Sequence, residues 1–200
     1  MGSEPDRVVL STDEWAQLDA AGTRYASSVS PFYDEVLDEV VARAEQQKSL
    51  GKADIGALLL WKRLRGDSPA MKALLVTPNE TVRAATGESI TAARDQAFST
   101  PEAASRARSA LSPLPGFARG DALASAVIVA ANPARFAVYD RRAHHGLASL
   151  GIALSNAPGR YSRYMDIVGQ VVEQSADRGD ALTPRQVDLA LFTLEGPPEG

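Results

Sequence analysis

The sequence predicts an all-α fold, an orthogonal bundle of helices, on three observations. Helix-start punctuation recurs along the whole chain, strand signals are nearly absent, and the connections between periodic stretches are short. Only Phe136-Ala137-Val138-Tyr139 alternates as a strand would, and it is too short to build a sheet.

The elements follow in order. Ser11-Thr12-Asp13-Glu14 is a capping-box pattern and predicts a helix carrying Trp15, Leu18 and Tyr25. Ser30-Pro31 opens a second, with Phe32, Leu37, Val40 and Val41 on its apolar face and Asp34, Glu35, Asp38 and Glu39 on its wet one. Gly51 separates this from a leucine-rich stretch over 53–64 centred on Trp61. Thr77-Pro78-Asn79-Glu80 and Thr183-Pro184-Arg185-Gln186 each place Thr at an N-cap, Pro at the first helical position and Glu or Gln at the third. These choices satisfy or remove orphan N–H groups. Thr100-Pro101-Glu102 is a shorter version of the same signal. Helices are expected over 78–97, with Gly87 a point of fracture, and over 101–111, 120–131, 141–150, 159–176 and 184–194. Residues 1–7 and 196–200 read as frayed ends. Residues 1–50 read as an N-terminal helical extension that forms one unit with a domain over 51–200.

Composition narrows the chemistry. At 44% hydrophobic and 23% charged, a chain of 200 residues can bury a substantial core and is not disordered by composition. The absence of cysteine removes disulfides, thiolate catalysis and cysteine-ligated clusters, and it fits a cytoplasmic location. The acidic start Met1-Gly2-Ser3-Glu4-Pro5-Asp6 lacks the pattern of a secretory signal. The most apolar run, Ala122–Ala131, is too short to cross a bilayer and reads as a core helix, so no membrane association is expected. His144 and His145 point about 100° apart on a helix and cannot readily share a metal. No metal and no cofactor is expected, and no phosphate loop, dinucleotide fingerprint or nucleophile elbow is present. A formal charge of −4 argues against tight nonspecific binding to nucleic acid, whose affinity comes from neutralised phosphates.

The informative segment runs over 111–140. Leu114-Pro115-Gly116-Phe117-Ala118-Arg119-Gly120 forces a tight connection between two helical stretches. The helix after it is apolar on all sides, with alanines that let neighbours approach closely. Asn132-Pro133 ends that helix, because the residue before proline avoids the α region. An extended step through Phe136 and Tyr139 then delivers Asp140 to the start of the next helix, Arg141-Arg142-Ala143-His144-His145.

This order of helix, L-P-G hairpin, small-residue helix, extended apolar step and aspartate resembles the helix–hairpin–helix DNA glycosylase superfamily, with residues 114–147 similar to its core. Trp61-Lys62, Ala124-Ser125-Ala126, Asn132-Pro133, Arg135-Phe136, Asp140-Arg141-Arg142 and Val187-Asp188-Leu189-Ala190-Leu191 resemble a bacterial group of glycosylase-like proteins of unassigned activity. The resemblance covers the chain from Ile55 onward. It implies a hairpin whose N–H groups meet a DNA phosphate, a nucleotide flipped into a pocket between helical subdomains, and an aspartate that stabilises the cationic sugar. Asp140 matches that aspartate. Gly116, Phe117, Arg119, Arg141, Arg142 and Lys62 are the candidate DNA contacts.

Three departures qualify the match. Ala118 stands where the hairpin pattern has a second glycine, and a positive φ there would strain it. No lysine lies near Gly120 or Asp121 to form a Schiff base, so an active protein would be monofunctional, without strand cleavage by that route. No cysteine is present for an iron–sulfur cluster. Asp140 has two compatible readings, catalytic carboxylate and helix N-cap. Trp61 reads as core, Lys62 and Arg63 as solvated unless Lys62 faces a cleft, and Arg135 with Arg141 and Arg142 as a basic cluster. The expected function is weak, salt-sensitive DNA binding with N-glycosidic hydrolysis. The alternatives are a non-catalytic nucleic-acid- or protein-binding module of the same fold, and a structural α-bundle.

Overall fold

A computed structural model describes residues 7–194, in which the chain forms ten α-helices and no β-strand. In order these are α1 (Thr12–Ser28), α2 (Glu35–Gln47), α3 (Lys52–Trp61), α4 (Pro69–Val76) and α5 (Asn79–Arg94), then α6 (Thr100–Leu111), α7 (Ala122–Ala131), α8 (Arg141–Ser149), α9 (Arg160–Asp177) and α10 (Pro184–Leu194). The all-α expectation holds, and the later helices fall close to their predicted spans.

The caps explain most of the boundaries. Ser11 accepts the Glu14 N–H at 3.3 Å while Glu14 accepts the Ser11 N–H at 2.6 Å, which starts α1. Thr183 and Gln186 make the same reciprocal pair at α10, at 2.8 and 3.2 Å. Three starts differ from expectation. Ser30-Pro31 leads into a turn, and α2 begins only at Glu35. The cap of α6 is Ser99, whose N–H and hydroxyl donate to Glu102 at 3.0 and 2.7 Å, so Thr100 is already helical. Thr77 donates its hydroxyl back to the Ala73 carbonyl at 3.0 Å and closes α4, so α5 starts at Asn79. Helix α4 itself is unforeseen: Ser68-Pro69 caps it, but eight residues carry too little periodicity to stand out. Gly87 does not break α5. An added Cβ there would stand 3.4 Å from the Lys48 carbonyl, so glycine serves close packing.

Helix α7 is the centre of the core. It packs against α2, α3, α5 and α6, and every residue from Leu123 to Ala131 is buried. Its alanines explain the close approach of four neighbours. A second group forms around α10, which packs on α1, α8 and α9, while α6 joins the groups through α9. Because α1 lies along α10 and α2 along α7, the N-terminal helices share the common core. Gly146 sets the α8–α10 spacing: a Cβ added there would lie 2.1 Å from the Leu191 carbonyl oxygen.

Between α7 and α8 the chain runs extended and buried from Phe136 to Tyr139. With no neighbouring strand, its polar backbone groups must be met by side chains. Ser125 Oγ accepts the Tyr139 N–H at 3.0 Å and lies 3.2 Å from the Tyr139 carbonyl. The Tyr161 and Tyr164 hydroxyls donate to the carbonyls of Ala137 and Val138 at 3.0 and 3.1 Å. Asp188 accepts the Val138 N–H at 3.3 Å. Three helices thus hold the segment that delivers Asp140.

Candidate functional site

Asp140 ends the extended segment and caps α8. Its Oδ1 accepts the Ala143 N–H at 2.9 Å, and its Oδ2 accepts from the Lys62 ammonium at 2.7 Å. Lys62 stands just past the end of α3, so the pair bridges the two helix groups. Only 11% of the Lys62 side chain and 14% of the Asp140 side chain is exposed. Burial pushes the carboxyl up. The Lys62 charge and hydrogen bond, with the N–H groups of Ala143 and Arg142, outweigh burial and hold Asp140 below the ordinary carboxylate range. Asp140 is therefore ionised at neutral pH.

A second layer fixes both partners. The Trp61 Nε1–H donates to Asp34 at 2.9 Å, and the Tyr33 hydroxyl donates to the Trp61 carbonyl at 2.7 Å. Arg185 donates to Asp188 at 2.6 Å and to Asp34 at 3.3 Å, and its guanidinium lies 5.1 Å from the Trp61 ring centroid. Burial pushes the Asp188 carboxyl up, against the attraction of Arg185 and Lys62. Burial would lower Arg185, but Asp188 and Asp34 outweigh it and keep the guanidinium firmly protonated. The Lys62 ammonium lies 5.7 Å from the Trp61 centroid and 5.6 Å from that of Phe192, and Arg142 lies 4.1 Å over Phe192. The result is an ionised carboxylate set among cations and ring faces.

The hairpin departs from expectation in detail. Gly116 takes φ +88°, and the second positive φ belongs to Gly120 at +76°, so Ala118 carries no left-handed strain. A Cβ on Gly116 would also meet the Met71 side chain at 2.1 Å. Phe117 does not serve as a DNA contact through its side chain: the ring is fully buried, and its N–H is spent on the Leu114 carbonyl at 3.0 Å. Arg119 is exposed, without a hydrogen-bond or ion-pair partner among the described residues.

The basic cluster divides. Arg141 is exposed and Arg142 joins the Asp140 surroundings through Phe192. Arg135 is fastened to the carbonyls of Ala93, Asp95 and Phe98, so it ties down the α5–α6 connection. Lys62 is paired, whereas the sequence alone suggested solvation or a cleft. Trp61 is core, as expected, with its one N–H satisfied.

Asp34, Arg185 and Phe192 entered the site without being singled out from sequence, and Asp188 figured only within the stretch Val187 to Leu191. Asp188 did leave a trace, a charge inside the apolar run Val187 to Leu191 and three residues after Arg185. Asp34 looked like part of a wet helix face, and nothing local tied it to Trp61. No family model, curated protein or solved structure matches the chain.

Proposed function

We propose that the chain is a helix–hairpin–helix protein that binds DNA and hydrolyses an N-glycosidic bond, with Asp140 as the catalytic carboxylate. The observation that carries this reading is the buried, ionised Asp140 at the meeting of two helix groups, with its two oxygens in different roles. Oδ1 is fixed by the α8 cap. Oδ2 is held by a lysine on a flexible stem, which an entering sugar can displace. As the C1′–N bond breaks, positive charge develops on the sugar, and a fixed carboxylate in a water-poor site stabilises it. Water adds hydroxide to C1′, and its proton leaves on the base nitrogen. The exposed Arg119 and Arg141 supply cations for the DNA backbone.

One observation favours a binding-only protein of the same fold. Asp140 is largely covered, and both its oxygens are engaged. A panel of duplexes bearing damaged and modified bases separates the two readings. Base release by the wild-type protein on any member supports hydrolysis. Binding without release on every member removes the catalytic assignment and leaves the binding module.

A further inference from the structure

A chain of aromatic rings runs from the core to the surface of α8. Tyr161 and Tyr164 stack on α9 with ring centroids 6.4 Å apart. Tyr164 meets Tyr139 edge-on at 5.1 Å, Tyr139 meets His144 at 6.1 Å, and His144 meets His145 at 6.1 Å. Exposure rises along the chain: the tyrosines are buried, His144 is half-buried and His145 is exposed. The three phenols differ in what their hydroxyls face. Those of Tyr161 and Tyr164 donate to the carbonyls of Ala137 and Val138 at 3.0 and 3.1 Å. A backbone carbonyl accepts a hydrogen bond but does not take the proton away. The Tyr139 hydroxyl instead lies 3.0 Å from Nδ1 of His144, and imidazole is a base that titrates near neutrality. Burial, then the charges of His145 and Arg160, hold His144 below its ordinary range, so it is uncharged at neutral pH. With its own proton on Nε2, it presents a lone pair to the phenol. The Arg160 guanidinium lies 4.8 Å from the Tyr139 ring centroid. A cation there opposes positive charge on the ring, so an electron leaves Tyr139 only if the proton leaves with it.

We infer that Tyr139 is a redox-active tyrosine, reversibly oxidised to a neutral radical with His144 as its proton acceptor. The oxidant belongs to the class of small oxygen-centred radicals, which reach α8 from solvent. One electron passes from Tyr139 to the oxidant, which becomes its anion, and the phenolic proton passes to Nδ1 of His144. A soluble one-electron reductant of the ascorbate class returns the electron. The imidazolium, crowded by Arg160 and His145, returns the proton. An oxidising equivalent formed on Tyr161 or Tyr164 moves outward over the same ring contacts, because Tyr139 is where a base can take the proton. The path thus draws oxidising equivalents out of the core, and it takes no part in the hydrolysis proposed at Asp140.

Flash oxidation of the intact protein by a soluble ruthenium(III) tris-bipyridine complex tests the inference. Tyr25→Phe/Tyr33→Phe is the starting protein, which leaves Tyr139, Tyr161 and Tyr164. Electron paramagnetic resonance should show a tyrosyl radical, formed with a solvent deuterium isotope effect. Adding Tyr139→Phe deletes one hydroxyl, keeps the ring and should remove most of the signal. Adding His144→Leu should slow radical formation by about a hundredfold, the low end of what a positioned base contributes, and erase the isotope effect. Circular dichroism checks that each variant is folded. No tyrosyl radical, a signal indifferent to Tyr139→Phe, or a rate indifferent to His144→Leu overturns the inference. Base release is not read in this experiment, so its outcome and that of the Asp140 reading are independent.

Discussion

At the scale of single residues, Asp140 is both cap and ion-pair partner, and this changes what its substitutions should do. A capping-only aspartate would tolerate Asn, which caps nearly as well. Here Asp140→Asn also strands the buried Lys62 ammonium, so the variant should lose about 3–5 kcal/mol, as when one partner of a buried pair is removed. Adding Lys62→Met should recover most of that loss in chemical denaturation. A single variant as stable as wild type would show that the pair contributes nothing. The pH dependence follows from the same geometry. The folded carboxyl lies below its ordinary value of 3.8, so its contribution is complete above that value. It is lost as pH falls through the depressed folded value. Wild type should lose stability more steeply than Asp140→Asn in that acid window, and parallel acid-denaturation curves would contradict this. The aspartate and its cap were legible in the sequence. The lysine partner was not, because 78 positions separate the pair and only the folded chain joins them.

At the scale of elements, the extended segment before α8 is the most demanding piece. Its buried backbone groups depend on Ser125, Tyr161, Tyr164 and Asp188. Ser125→Ala leaves the buried Tyr139 N–H unpaired and should cost about 1–3 kcal/mol by denaturant titration, and a cost near zero would remove Ser125 from the clamp. Gly146→Ala would drive a Cβ into the Leu191 backbone, which is not the tip of a flexible side chain and cannot swing aside. It should destabilise the protein by about 1–3 kcal/mol through forced separation of α8 and α10. A melting temperature equal to that of wild type would show that the two helices have room to part. Helix identities were readable because capping residues act locally and α7 is apolar on every side. The short α4 and the late start of α2 were not, since packing decides such pieces more than periodicity does. The clamp was unreadable for a related reason, as serine and tyrosine become partners of the segment only when α7 and α9 fold against it.

At the scale of the molecule, helices from both chain ends and from the middle meet where Asp140, Lys62, Trp61 and Arg185 lie. A net charge of −4 means that any DNA contact is local, so binding to a short duplex should be weak and should fall steeply with added salt. Tight binding that persists at high salt would show a far broader cationic face. We propose that the Asp140 carboxylate supports cleavage of a glycosidic bond. Its most direct test is single-turnover base release, on a duplex that the wild-type protein cleaves, by wild type, Asp140→Asn and Asp140→Asn/Lys62→Met, each confirmed folded. Wild type should release the base, and both variants should lose at least about a hundredfold, because a neutral amide cannot balance the charge developing on the sugar. Wild-type rates in a folded Asp140→Asn protein would contradict it.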